Sequence, residues 1–205
     1  MKETKDQAEY LSIKEFNRDK LLVKGSKFIA SAVPVNSEDE AELWLKKIQK
    51  EFHDATHNPY AYVLKSGKVQ KSTDDREPSG TAGRQILSAI LSQNLKDVLI
   101  VVTRYFGGIK LGTGGLSKAY YESALKALQG CVLIKKELRE KLILLFPKRY
   151  FDRVQMILNR EKVKVKRLAF GDKVRMEIDF SQGIVSRLKD ELMNITKGKI
   201  EFEVD

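Results

Sequence analysis

The last third of the chain changes hydrophobic period in a fixed order, and that order leaves few folds open. Leu142-Ile143-Leu144-Leu145-Phe146 is an apolar run of strand length, closed by Pro147. Tyr150, Phe151, Val154, Ile157 and Leu158 then follow the spacing of an amphipathic helix. Val163 and Val165 alternate with lysines, and Val174, Met176, Ile178 and Phe180 alternate strictly; Gly171-Asp172 between the two runs signals a hairpin turn. Ile184, Val185, Leu188, Leu192 and Ile195 form a second helical stripe, and Ile200, Phe202 and Val204 alternate to the end. The order βαββαβ is that of the ferredoxin-like split unit. Alternation puts one sheet face under the helices and leaves the other wet. The wet face carries Lys162, Lys164, Lys166, Lys173, Arg175, Glu177, Asp179, Lys199, Glu201 and Glu203, and no aromatic. A base-stacking platform of the RRM type is thereby excluded.

The part before about Glu137 mixes strands and helices, so the whole chain reads as α+β in two domains, 1–137 and 138–205. Lys135 to Glu140 is the charged junction between them. Tyr10 to Phe16 and Leu21 to Val35 read as strands, the second broken at Lys24-Gly25-Ser26. Ser37 and Glu40 make a capping box for a helix whose apolar face is Ala41, Trp44, Leu45, Ile48 and Phe52, which places Trp44 in the core. Tyr60 to Leu64 and Lys68 to Lys71 read as a hairpin around Ser66-Gly67, and a short helix is expected at Ile86 to Leu91. Val98-Leu99-Ile100-Val101-Val102-Thr103 is apolar on both faces, the mark of a buried strand. A glycine loop follows it, then a helix from about Leu116 to Leu128 and a strand from Cys131 to Ile134.

Composition bounds the function. Lys and Arg number 38 against 28 acids among 205 residues, a net charge of +10 that favours polyanionic partners, RNA above all. The longest aliphatic run, Val98 to Val102, is far short of a membrane span, and Met1 to Asp6 is charged with no apolar stretch behind it. Cys131 is the single cysteine, so no intrachain disulfide and no zinc spacing is available. The expected setting is cytoplasmic.

Three segments carry candidate chemistry. Arg104 to Gly115 holds five of the 13 glycines and joins the buried strand to a helix N-terminus, where free N–H groups and the helix dipole favour an anion. Arg104, Tyr105, Phe106, Gly107, Gly108, Lys110, Gly112, Gly114, Gly115 and Lys118 are its candidate anion- or RNA-binding residues. The glycines are expected to supply positive φ or close approach, Gly114 among them. No Lys-Ser/Thr pair follows the last glycine, so this is not a P-loop, and Ser117 spoils a dinucleotide fingerprint. The second segment, Ser72 to Gly83, offers Asp74, Asp75 and Glu77 as bases or ligands and Ser79 or Thr81 as nucleophiles, in a composition that also suits an ordinary turn-rich loop. In the third, His53 and His57 are four apart, but Asn58-Pro59 ends any helix there, so a helix-end histidine is expected. No catalytic residue, metal or cofactor is assigned.

His57-Asn58-Pro59-Tyr60-Ala61-Tyr62, Asp74 to Gly83 and Val101 to Leu116 together resemble the YigZ/IMPACT family, over roughly Lys24 to Leu128. Arg76 stands where that family usually has Gly, and Gln85 where Pro is common. The resemblance implies an N-terminal α/β domain similar to the second domain of a small-subunit ribosomal protein and to the fourth domain of elongation factor G. It implies a C-terminal domain similar to that factor's fifth. Eukaryotic relatives act in regulation of translation through protein partners. The expected function is therefore non-enzymatic RNA or ribosome binding tied to translation, with no membrane partner. The alternatives are an enzyme acting on a small phosphorylated ligand, and a protein-docking module.

Overall fold

Residues 9–64 and 67–203 are described by a computed structural model. The charged N-terminal stretch, Ser66 of the expected turn and Val204 of the last alternation lie outside them. The described residues divide into two compact units, 10–136 and, with Glu9, 137–203.

The first unit holds, but for the end residues Glu9 and Glu137, the strands β1 (Glu9–Ile13), β2 (Asn17–Val23), β3 (Ser26–Pro34), β4 (Tyr60–Leu64), β5 (Val69–Thr73), β6 (Val98–Tyr105) and β7 (Leu133–Glu137). The helices are α1 (Glu38–Glu51), α2 (Gly83–Ser92) and α3 (Gly112–Gln129). Five strands form an antiparallel sheet in the order β2-β3-β6-β4-β5, while β1 and β7 pair separately. The central strand β6 is buried on both sides, as its sequence requires. Val98, Ile100 and Val102 pack with Ile86, Ile90, Leu116 and Tyr120 of α2 and α3, and Leu99 and Val101 pack with Ala41, Leu45 and Ile48 of α1. Double burial usually marks a parallel sheet; here α1 alone, covering the second face, produces it in an antiparallel one.

Several boundaries differ from the sequence reading. Helix α3 begins at Gly112, four residues before the expected Leu116, because Leu116, Tyr120, Ala124 and Ala127 bury one face and carry the poor helix formers ahead of them into the first turn. Strand β7 starts at Leu133 rather than Cys131. Residues 135–140 are taken up by strand ends, with Leu138 alone between β7 and the next strand. Trp44 is only partly buried and stacks on Phe16 with ring centroids 5.7 Å apart. The capping box forms with one change of partner: Ser37 Oγ accepts from Glu40 N, while Glu40 Oε2 accepts from Asn36 N.

The second unit contains β8 (Arg139–Phe146), α4 (Phe151–Arg160), β9 (Lys164–Phe170), β10 (Val174–Ser181), α5 (Val185–Ile195) and β11 (Glu201–Glu203). The sheet order β11-β8-β10-β9 is the ferredoxin-like one. Leu142, Leu144, Phe146, Val174, Met176, Ile178 and Phe180 face Val154, Ile157, Leu158, Leu188 and Leu192 of the helices. A register shift opposite Glu177 and Ile178 leaves Lys166 unpaired in β9, so Lys166 and Arg167 both reach acids of β10. Several cations of this face are matched by acids: Lys173 meets Glu201 at 2.5 Å, Arg175 meets Glu203 at 3.0 Å, and Asp179 receives Arg139 at 2.6 Å and Lys166 at 3.7 Å.

Candidate functional site

The antiparallel pairing of the sheet brings the three sequence segments to one end of β6. His57 continues the register of β4 beside β6: Arg104 N donates to His57 O at 2.8 Å and Thr56 N to Arg104 O at 3.0 Å. Deeper in, Thr103 Oγ1 donates to Asn58 Oδ1 at 2.6 Å. The 74–83 loop closes against the same edge, where Asp75 Oδ2 accepts from Asn58 N and the Asp75 carbonyl lies 2.8 Å from His57 Nδ1.

A buried charge pair sits at the centre. Arg104 Nη1 lies 2.5 Å from Glu77 Oε1, with the two side chains 7% and 3% exposed. Tyr120, from α3, donates its hydroxyl to the same oxygen at 2.7 Å, and His57 Nε2 stands 3.9 Å from it. Burial first, and then the bond to Glu77, push the Tyr120 phenol well above its ordinary pKa, so it stays a neutral donor. The Arg104 guanidinium also lies over the Phe28 and Phe106 rings, at 5.5 and 5.6 Å. Its Nε is buried and has no hydrogen-bond partner. Buried donors are normally satisfied, so an orphan here calls for a cause.

The 74–83 loop is built by its own carboxylates. Asp74 Oδ1 accepts from the N–H groups of Ala82 and Gly83 at the start of α2, and Oδ2 accepts from Gly80 N. Asp75 and Arg76 are both left-handed, at φ +42° and +67°, and Glu77 N donates back to Asp74 O at 3.0 Å. This is a turn with positive φ at both central positions, which accounts for glycine being usual where Arg76 stands. Thr81 Oγ1 is spent on Pro78 O at 2.6 Å, and Ser79 is exposed. Relieving the left-handed strain outweighs the entropy of an added glycine only slightly, so Arg76→Gly is expected to raise stability by about 0.5 kcal/mol. Urea unfolding checks it; a loss would show that the arginine side chain supports the turn.

The glycine segment divides into three roles. Gly107 is a packing residue: a Cβ there would lie 1.9 Å from Gly25 C, so the loop after β6 rests directly on the β2–β3 turn. Gly108 and Gly112 take positive φ, +85° and +72°. Gly114 does neither: its φ is not positive, contrary to the sequence reading, and a Cβ there would meet nothing within 4 Å. Arg104, Phe106, Lys110 and Gly112 line one pocket of about 330 Å³ with His57, Glu77 and Thr113. Tyr105 points away from it, donating to Asp54 Oδ1 at 2.7 Å beneath Lys27; that bond holds the Asp54 carboxyl below its usual range. Lys118 pairs with Glu122 on the outside of α3.

At the pocket mouth the first turn of α3 is bare. No side chain caps it and no acid lies in that turn. Elsewhere in this unit, Ser37 caps α1 and Asp74 serves α2. Tyr120 is the site residue that sequence reasoning did not assign, and His57, expected at a helix end, instead bridges to Arg104 beside β6. A signal for Tyr120 was present: it is the one polar-tipped bulky residue on the buried, alanine-rich face of α3, and such a hydroxyl needs a partner. Among the described residues no three His, Cys, Asp or Glu side chains converge as a metal site, and no helix is long and apolar enough to cross a membrane.

Fold and site together define an α+β protein of two units, with its candidate site where the central strand of the first unit hands over to a helix. Residues 24–128 match the Impact N-terminal domain, and the chain belongs to the IMPACT family. The IMPACT family member YvyE of Bacillus subtilis is 32% identical over 195 residues, covering 95% of this chain and 90% of that one. A protein IMPACT homolog of Dictyostelium discoideum is 41% identical over 93 residues, 43% of this chain and 27% of its own length. A crystal structure of a hypothetical protein superposes with a TM-score of 0.75 at 23% identity, covering 97% of this chain and 98% of that one, and so shares the two-unit fold.

Proposed function

We propose that this protein binds RNA, on or off the ribosome, in the regulation of translation, and does so without chemistry. The observation that carries the reading is the uncapped N-terminus of α3 opening on a pocket lined by Lys110 and by Arg104, whose buried Nε has no partner. Main-chain N–H groups, a helix dipole and a lysine are a phosphate-binding set that reads no base. The partly ion-paired sheet face of the second unit supports the same location, since Lys166, Arg167, Lys173 and Arg175 are already answered by acids.

Binding to a single-stranded RNA should therefore fall steeply with salt and depend little on sequence. With ~4–6 phosphate contacts, the log–log slope of affinity against salt is expected to be about −3 to −4. Fluorescence anisotropy across a salt series measures it. A flat response with tight binding would transfer the reading to a protein partner, and turnover of a phosphorylated metabolite would transfer it to an enzyme.

A further inference from the structure

We infer that the pocket between the end of β6 and the start of α3 takes one nucleotide bearing a terminal phosphate monoester, with the phosphate on the α3 N-terminus and the base against Phe106. The inference rests on the phosphate-binding reading and specifies its ligand. Four observations support it.

The first is size. About 330 Å³ is at the small end of ligand sites, room for a single nucleotide and not for a folded RNA segment. The second is charge. Arg104 lines the pocket but already faces Glu77 at 2.5 Å, so it adds little free charge there, and its buried Nε has no partner within the chain. The remaining attraction comes from Lys110 and the helix end, both single weak sources. A monoester carries about −1.5 to −2 at neutral pH against −1 for an internal diester, and it offers three free oxygens to the bare N–H groups of the first turn. The third is Phe106, which is 48% exposed at the pocket although bulky and apolar. An exposed ring beside a phosphate site is what a base stacks on. The fourth is Gly114. Neither positive φ nor crowding within the chain requires glycine there, yet glycine in a helix costs about 1 kcal/mol relative to alanine. Gly114 itself does not line the pocket, but Gly112 and Thr113 of the same first turn do, so a ligand seated on that turn supplies the missing requirement.

The test compares three probes on the full chain by anisotropy competition: a short oligoribonucleotide with a 5′-phosphate, the same oligomer with a 5′-hydroxyl, and a nucleoside 5′-monophosphate. Removing the terminal phosphate is expected to weaken binding about ten- to a hundredfold, the usual worth of hydrogen bonds to a charged group. Lys110→Ala should cut that preference roughly five- to tenfold. Gly114→Ala should raise the melting temperature while lowering affinity for the phosphorylated probe, opposite signs that a packing glycine cannot give. Tight binding of the free monophosphate with loss in both variants supports the monoester site and makes a metabolite its source, which overturns the RNA reading alone. Equal affinity for the two oligomers overturns the terminal-nucleotide inference and leaves RNA binding standing. No binding of any probe overturns both.

Discussion

Glu77→Ala is expected to destabilise the first unit by about 3–5 kcal/mol. It would leave the Arg104 guanidinium buried with no counter-charge and the Tyr120 hydroxyl with no acceptor. The cost comes from the groups left behind, not from the net worth of the pair. Removing Arg104 as well, as Glu77→Leu with Arg104→Met, should restore most of the loss, because a dry apolar pair of similar volume carries no desolvation penalty. Tyr120→Phe deletes one donor while leaving the ion pair, and about 1 kcal/mol is expected. Urea melts of the three variants measure all of this. A Glu77→Ala variant within 1 kcal/mol of the parent would mean that water reaches Arg104 in solution.

Gly107→Ala is the second large effect, expected at about 3 kcal/mol or more. The added Cβ would fall 1.9 Å from Gly25 C, 2.1 Å from Gly25 O and 2.2 Å from Ser26 N, all main-chain atoms that no rotamer change can move. The loop after β6 and the β2–β3 turn would have to separate, and with them the bond from Gly107 N to Ser26 Oγ at 3.2 Å. Seven residues along the same segment, alanine at 114 should stabilise. The melting temperatures of the two variants, moving in opposite directions, check that the segment's glycines serve different ends. A Gly107→Ala protein melting within a few degrees of the parent would disprove the close approach of the two turns.

The parts of the fold legible from sequence are those where a periodicity has one physical cause. In the second unit, one sheet face is dry and the other wet, so β8 and β10 announce their inward residues directly. The bulge at Lys166 was not legible, because β9 is an edge strand exposed on both sides and its alternation constrains nothing. Val98 to Val102 announced a strand with two covered faces but not which element covers the second. At the site, the Gly-rich composition of Gly112-Thr113-Gly114-Gly115 reads as loop by propensity, and burial of Leu116 and Tyr120 overrides it. Trp44 follows the helical stripe of α1 yet lies at its margin, where Phe16 takes the place of core. The convergence of Glu77, Arg104 and Tyr120, 27 and 43 residues apart from Glu77, depends on which strands are neighbours, and no local pattern encodes that.

The lattice of opposite charges on the open sheet of the second unit bears on heat. Asp179 holds both Arg139 and Lys166, and the pairs Arg167–Glu177, Lys173–Glu201 and Arg175–Glu203 cross from strand to strand around it. At room temperature each exposed pair contributes between nothing and about 1 kcal/mol. Hydration of charged groups weakens as temperature rises, so the cost of holding them together shrinks while the attraction persists. This face therefore acts as a reserve that grows on warming, and it would outlast a sheet of the same size faced with uncharged polar residues.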